Sequence, residues 1–439
     1  MKKKRVLALV MSLALSVSVL AGCGGSSGAA GTTTDAADAT TDAAGETAAA
    51  SGEKVTITYL NGFTGGDGDF MRKITDGFNA SQDKYEVIES QEKDHMTSFK
   101  ANGADVVVIA GASLYTYAED GMIQEVSSLY EKSGIAVGDF IQSAQDIVNF
   151  NDGTWAFPLD IHPLTMFYNK ELVSEAPTTY EELVSMNAEL QAENKDVYIM
   201  GIPGSGIIEY YYMALAAQNG IDVVQDGYCN FATDEFADVL MKWHDMVYVD
   251  KLSPTNLGLD AEFTSFAKTA DDITTQAAIC LTGPWYYSTA AEIYGENLGI
   301  AAIPVIGDQK ATYGGSHTIA VSSQVTDESK LEGIAEFFKY LYTPENLLNW
   351  ADSGQTPVHQ ATLDVIKENP DKYPVPYVNA GTVDTDKIGP KVYNSNEQLS
   401  YISSSIFGRL VTEENLTKED IMTELETATE FAKQIAAEQ

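Results

Sequence analysis

Five short stretches of this chain hold most of the side chains that could do chemistry: residues 61–69, 153–163, 282–287, 313–317 and 352–358. They read Asn-Gly-Phe-Thr-Gly-Gly-Asp-Gly-Asp, Gly-Thr-Trp-Ala-Phe-Pro-Leu-Asp-Ile-His-Pro, Thr-Gly-Pro-Trp-Tyr-Tyr, Tyr-Gly-Gly-Ser-His and Asp-Ser-Gly-Gln-Thr-Pro-Val. Aromatic rings stand beside Asp, Asn, Gln, His and glycine-rich backbone. That mixture suits a ligand with an apolar CH face and a rim of hydroxyls, stacked on rings and bonded by donors and acceptors. It does not resemble a catalytic set. His162 and His317 have no Asp or Ser partner at a recognisable spacing, so hydrogen bonding to hydroxyls is expected of them before catalysis. None of the five stretches contains arginine, which disfavours a phosphorylated or carboxylated ligand. Neither CxxC nor HExxH occurs and the five histidines are scattered, so no metal and no cofactor is expected.

The elements that must position these loops read as α/β. Apolar and β-branched runs at 55–60, 85–88, 104–110, 164–169, 198–201, 277–281, 299–303 and 318–322 predict strands. Within the run at 104–110, Val106 to Ala110 is continuously apolar, as a strand buried on both faces requires. Helical spacing of Phe70, Ile74 and Phe78 predicts a first helix. A capping box from Thr178 or Thr179 opens another, with Leu183, Met186 and Leu190 on its buried stripe. Leu331, Ile334, Ala335, Phe338 and Leu341 predict a further helix, Thr343-Pro344 restarts one, and a last one begins at Thr417. Trp350 falls on a helical stripe and is assigned to the core. No repeat of 20–50 residues appears, which excludes a solenoid or propeller. About 385 residues exceed one ordinary core, so two lobes are expected, with the site in the loops at strand ends between them.

The first 22 residues read as a secretory signal: Lys2, Lys3, Lys4 and Arg5, then a short apolar run ending Leu20-Ala21-Gly22. Cys23 follows, and the sequence resembles the lipobox of bacterial lipoproteins, which implies a lipidated N-terminal Cys23 on the outer face of a cell membrane. Residues 24–53 are small and polar and cannot bury a core, so they predict a disordered linker that sets reach. Gly24-Gly25-Ser26-Ser27-Gly28 matches GxSxG only by chance, with no strand before it. Beyond residue 22 the chain carries a net charge of −42, which argues against nucleic acid as a partner. Cys229 and Cys280 are the two remaining cysteines; they do not amount to a disulfide framework, and Cys280 sits in an apolar run.

In order and spacing the five loops resemble the extracellular solute-binding lipoproteins of carbohydrate ABC importers, the maltose-binding-protein-like class. Phe63-Thr64-Gly65-Gly66-Asp67-Gly68 resembles that family's first loop, Trp155 to Asp160 followed by Tyr168-Asn169-Lys170 its YNK segment, and Gly283-Pro284-Trp285 its GPW turn. Ile303-Pro304 followed by Gly314 to His317 resembles its return crossing, and Gly354 to Val358 its GxxPV loop. Leu60 departs from the Trp that many relatives carry before Asn-Gly, and Arg409 is the candidate guanidinium for an anionic ligand. The resemblance implies a two-lobed periplasmic-binding-protein-like fold of type II whose lobes are joined by several hinge crossovers, near 160–163, 304–308 and 348–357. Residues 54–161 with 306–350 would form the first lobe, and 162–305 with 351–439 the second. It implies a mono- or oligosaccharide ligand held by Phe63, Asp67, Trp155, Asp160, His162, Tyr211, Trp285, Gly315, Ser316, His317 and Gln355. Trp285 would be the main platform and Tyr211 a second. ABC permease subunits would be the partners of a monomer without enzymatic activity. A polyol or glycerophosphoryl receptor, a secreted glycoside hydrolase and a surface adhesin or sensor are the alternatives.

Overall fold

The computed structural model describes residues 54–268, 274–383 and 386–439. The expected signal segment, Cys23 and the expected linker lie outside the described residues. Among the described residues no helix is long and apolar enough to cross a membrane.

The first sheet is built from β1 (Val55–Asn61), β2 (Tyr85–Gln91), β3 (Val106–Ala110) and β4 (Phe157–Pro163). Four more strands, β5 (Thr165–Asn169), β6 (Val197–Met200), β7 (Gln276–Thr282) and β8 (Leu298–Ala302), form a second sheet in the order β8-β5-β7-β6. The chain then returns to the first sheet through β9 (Thr312–Val321), β10 (Thr356–Pro357) and β11 (Asp386–Ile388). That sheet runs β10-β4-β9-β3-β1-β2, with β11 parallel to β9. Strand β3 is apolar throughout because both its faces are covered: Val106 and Val108 enter one core, Val107 and Ile109 another.

Each sheet has its own core. The first gathers Ile57, Tyr59, Ile74, Phe78, Phe157, Phe338 and Trp350; the second gathers Met166, Tyr211, Phe236, Trp243, Phe407 and Leu425. Helices cover them as their caps dictate. Thr179 Oγ1 accepts from Glu182 N–H at 3.2 Å and opens the helix Tyr180–Glu193, which buries Leu183 and Leu190 and leaves Met186 half-buried. Thr417 and Asp420 form a reciprocal capping box that opens Lys418–Ala436, with Ile421, Leu425, Ala428, Ala432 and Ile435 on its buried stripe.

The crossing from β4 to β5 passes through Leu164, and the return from β8 to β9 spans residues 303–311. The third crossing differs from the expectation of 348–357. Val358, Leu363, Ile366, Tyr373 and Ala380 all lie in the first core, and Val392 is in the second. Residues 358–373 therefore stay with the first core, where the second lobe was expected, and the helix Pro374–Ala380 touches both sheets, Ala380 in the first core and Val375 against Phe167 and Cys280 of the second sheet. The helices after β10 carry apolar stripes that look alike for either lobe, so the sequence alone did not mark the change. Cys229 and Cys280 are free, fully buried thiols, and burial pushes the Cys229 thiol up to about 12.

One buried acid stands apart from these cores. Glu262 is fully buried, and neither carboxyl oxygen has a partner among the described residues. Burial, reinforced by Asp260, pushes its pKa up to about 7. The folded state therefore loses stability as pH rises from the ordinary carboxylate value through 7. Glu262→Gln is expected to remove most of that loss, ~3 kcal/mol, so urea midpoints at pH 5 and pH 8.5 should lie closer together than in the parent. A parent-like gap in the variant would count against a buried, uncompensated charge.

Candidate functional site

The register of β9 against β4 assembles the site. Gly315 lies opposite His162 and His317 opposite Asp160, with a bulge between His317 and Thr318. Two histidines 155 positions apart in the sequence thus share one carboxylate. Asp160 Oδ1 accepts from His162 Nδ1 at 3.1 Å and from the backbone N–H of His317 at 3.2 Å. His317 Nδ1 lies 3.0 Å from both carboxylate oxygens, and Trp350 Nε1 donates to Oδ2 at 2.7 Å. Asp160 is 1% exposed. Burial alone would raise its pKa, but the charge and hydrogen bonds of His317 and His162 outweigh it and hold the carboxyl well below its usual range. Burial lowers the pKa of His162, with help from the charge of His317. Burial also acts to lower that of His317, yet Asp160 raises it above the ordinary value. Asp160, His162 and His317 form, among the described residues, a group whose potential metal-ligand atoms lie within 4.8 Å of one another. The expectation of scattered histidines is therefore corrected: pairing across strands, invisible to spacing motifs, brings them together.

Rings surround this cluster. Phe63 meets His317 edge-on at 5.0 Å between centroids and packs on Trp350 at 4.7 Å. Trp285, in the turn after β7, meets His162 at 6.2 Å and Tyr210 at 6.1 Å, both near perpendicular. Gly283 lets the Trp285 ring fold back over the backbone, because a Cβ there would lie 2.0 Å from the ring. Gly315 does the same for His162: a Cβ would meet its Nε2 at 2.2 Å and the Tyr210 hydroxyl at 2.6 Å. Gln355 Nε2 donates to Asp67 Oδ2 at 3.2 Å, tying the last loop to the first.

Three expected contacts lie elsewhere. Tyr211 is fully buried in the second core, its hydroxyl donating to Leu281 O at 2.8 Å and its ring packed on Trp243. Its neighbour Tyr210 takes the place beside Trp285. The helix Ile208–Gln218 is apolar on nearly every side, so hydrophobic pattern could not separate the two tyrosines. Trp155 stacks on Phe150 at 5.6 Å, donates to Phe150 O at 3.1 Å and packs with the third apolar cluster of Leu60, Phe99 and Ile109. Ser316 points away from His317, since alternation along β9 turns its Oγ toward Gly111. Trp350 is core, as expected, but it also serves the site through its N–H. Tyr313 Oη donates to half-buried Glu209 at 2.6 Å close by.

The two lobes also meet along the helix Gly111–Glu119. Tyr393 Oη donates to Asp120 at 3.0 Å, Asn394 N–H to Thr116 Oγ1 at 2.8 Å, Ser395 Oγ to Ala112 O at 2.7 Å and Asn396 Nδ2 to Ser113 Oγ at 2.9 Å. All four acceptors belong to the first-lobe helix Gly111–Glu119 or the residue after it. A cavity of about 780 Å³ opens elsewhere, on the first lobe among Phe78, Tyr85 and Tyr340.

Known proteins resemble this chain over most of its length. The maltotriose-binding protein of Pyrococcus abyssi is 24% identical over 306 residues, 65% of this chain and 63% of that protein. The match thus spans less than two thirds of that relative's length. Maltose-bound MalE3 of T. maritima superimposes with a TM-score of 0.70 at 19% identity, covering 86% of this chain and 99% of that one. Lmo0181 of Listeria monocytogenes, in complex with cycloalternan, gives 0.69 at 18% identity, covering 86% and 99%. At such identities the likeness establishes the fold, two α/β lobes with a cleft between them. A family described as bacterial extracellular solute-binding protein matches residues 73–374, and the chain belongs to that family.

Proposed function

We propose that this chain captures a mono- or oligosaccharide between its lobes and delivers it to the membrane subunits of an ABC importer. The observation that carries this reading is the meeting of Trp285 and Tyr210 with the buried Asp160–His162–His317 cluster. Rings offer faces for CH groups, the cluster offers polar atoms to hydroxyls, and no lysine or arginine stands among these groups. Phe63, Asp67 and Gln355 complete the site from the first lobe. The maltotriose-binding relative supports the same ligand class. Glycoside hydrolysis would need two carboxylates free to act across the scissile bond. Here Asp160 is occupied by imidazole, indole and backbone N–H donors, which favours a receptor over an enzyme. Lipidation at Cys23, with residues 24–53 as a tether, would keep a monomeric receptor beside its permease on the outer face of the membrane.

The test is a thermal-shift panel of neutral mono- and oligosaccharides on the chain beginning near Ser51. A cognate sugar at 100 times its Kd should stabilise by about 2.7 kcal/mol, saturably and without releasing new reducing ends. Stabilisation by amino acids or peptides, with none by any sugar, would overturn the proposal. Cys23→Ala in the full chain should move the protein from the membrane fraction to the medium.

A further inference from the structure

We infer that Asp160, His162 and His317 form a binding site for one divalent first-row transition ion, of the Zn²⁺ or Ni²⁺ type, held by the two Nδ1 atoms and the carboxylate. This goes beyond the sugar-receptor reading above and does not rest on it.

The donors select the ion. Two imidazole nitrogens and one carboxylate suit Zn²⁺, Ni²⁺, Cu²⁺ or Fe²⁺, whereas Mg²⁺ and Ca²⁺ take shells of oxygen. His162 Nδ1 lies 3.1 Å from Asp160 Oδ1, and His317 Nδ1 lies 3.0 Å from both oxygens. Ligand atoms about 3 Å apart are what bonds of about 2.1 Å to one shared ion produce. The ion takes the place of the hydrogens held at these contacts, and each ring keeps its remaining hydrogen on Nε2. At His162 the Gly315 backbone and the Tyr210 hydroxyl lie against Nε2, which leaves Nδ1 as the ligand atom.

The fold sets this geometry in advance. His317 stands opposite Asp160, and Gly315 opposite His162, in the pairing of β9 with β4. Trp350 Nε1 donates to Oδ2 at 2.7 Å and the His317 backbone N–H to Oδ1 at 3.2 Å, outer contacts of the kind that orient a ligating carboxylate. The charge fits as well. Asp67 is close enough to act on both rings, so its carboxylate and that of Asp160 together balance a divalent ion in a buried place. His95, which lies near His317, has its Nε2 2.9 Å from Val108 O and is not part of the group. The His317 side chain is 23% exposed, which gives the ion an entry and water a place in its shell. Strand β4 leads into the crossing at Leu164, and β9 follows the return through 303–311. An ion bound to both strands clips the two crossings together.

Isothermal titration of Zn²⁺ into the untagged, chelator-treated full chain at pH 7 tests the site. One ion per chain with a micromolar Kd or tighter is expected, displaced by Ni²⁺ and not by a hundredfold excess of Mg²⁺ or Ca²⁺. His162→Gln and His317→Gln should each weaken uptake at least tenfold. His359→Gln, which changes a histidine outside the group, should leave it as in the parent. Should the two cluster variants not fold, long-range ¹H–¹⁵N spectra of the histidine-labelled parent still decide. Saturating Zn²⁺ should move the Nδ1 signals of His162 and His317 and leave those of His95, His244 and His359 in place. No uptake, uptake equal in the parent and both cluster variants, or spectra in which His162 and His317 do not move would overturn the inference. The titration needs no solute, so it decides the metal site even if no sugar binds.

Discussion

Asp160→Ala is expected to destabilise the fold by about 3–5 kcal/mol, because truncating one partner strands buried donors that cannot reach water. Trp350 Nε1–H, both imidazole Nδ1–H groups and the His317 backbone N–H lose their common acceptor in one step. Urea unfolding at pH 7 reads the loss. The comparison is Glu332→Ala, which removes an exposed pair with Lys84 and should leave the midpoint where it is. The acid limb carries a second signature. The Asp160 carboxyl is held below its usual pKa, so its stabilisation is present above the ordinary carboxylate value and lost as pH falls through the lowered one. The variant should therefore show a shallower decline than the parent below about pH 4. If Asp160→Ala were as stable as the parent, the carboxylate would not be the hub that its contacts describe.

The second large effect concerns binding. Trp285→Ala should weaken a cognate sugar ~30-fold, about 2 kcal/mol, by removing the ring that faces His162 and Tyr210. Stability should change little, since Trp285 is only half-buried. Gly283→Ala supplies a companion that keeps the indole. Its Cβ would fall 2.0 Å from the ring, so the ring must leave its place and affinity should drop although the tryptophan remains. Isothermal titration measures both. Parent-like affinity in the two variants would remove Trp285 from the site.

The sequence made the fold class and the loop set legible because both rest on local signals. Continuous apolar runs, capping threonines and the GPW turn each declare themselves within ten residues. The pairing of His162 with His317 did not, since it depends on the register of β9 against β4 and on one bulge. Tyr210 and Tyr211 could not be told apart because both sides of their helix are covered, and only the crossing geometry decides which ring meets Trp285. Trp155 misled for the opposite reason: an aromatic in a Gly-Thr turn looks like a platform, yet Phe150 was close enough to stack on it. Residues 358–373 stayed with the first core, beyond the expected crossover at 348–357, because apolar stripes record that a helix is buried, not in which lobe.

The hydrogen bonds from Tyr393, Asn394, Ser395 and Asn396 to the first lobe join two parts of one chain. Their strength is set by the effective concentration that the crossovers impose, so dilution of the protein leaves them untouched. On the proposed function, a solute entering between the lobes adds to contacts already present between them. It has to supply only the difference between open and shut, and the affinity it shows is less reduced by the work of closing.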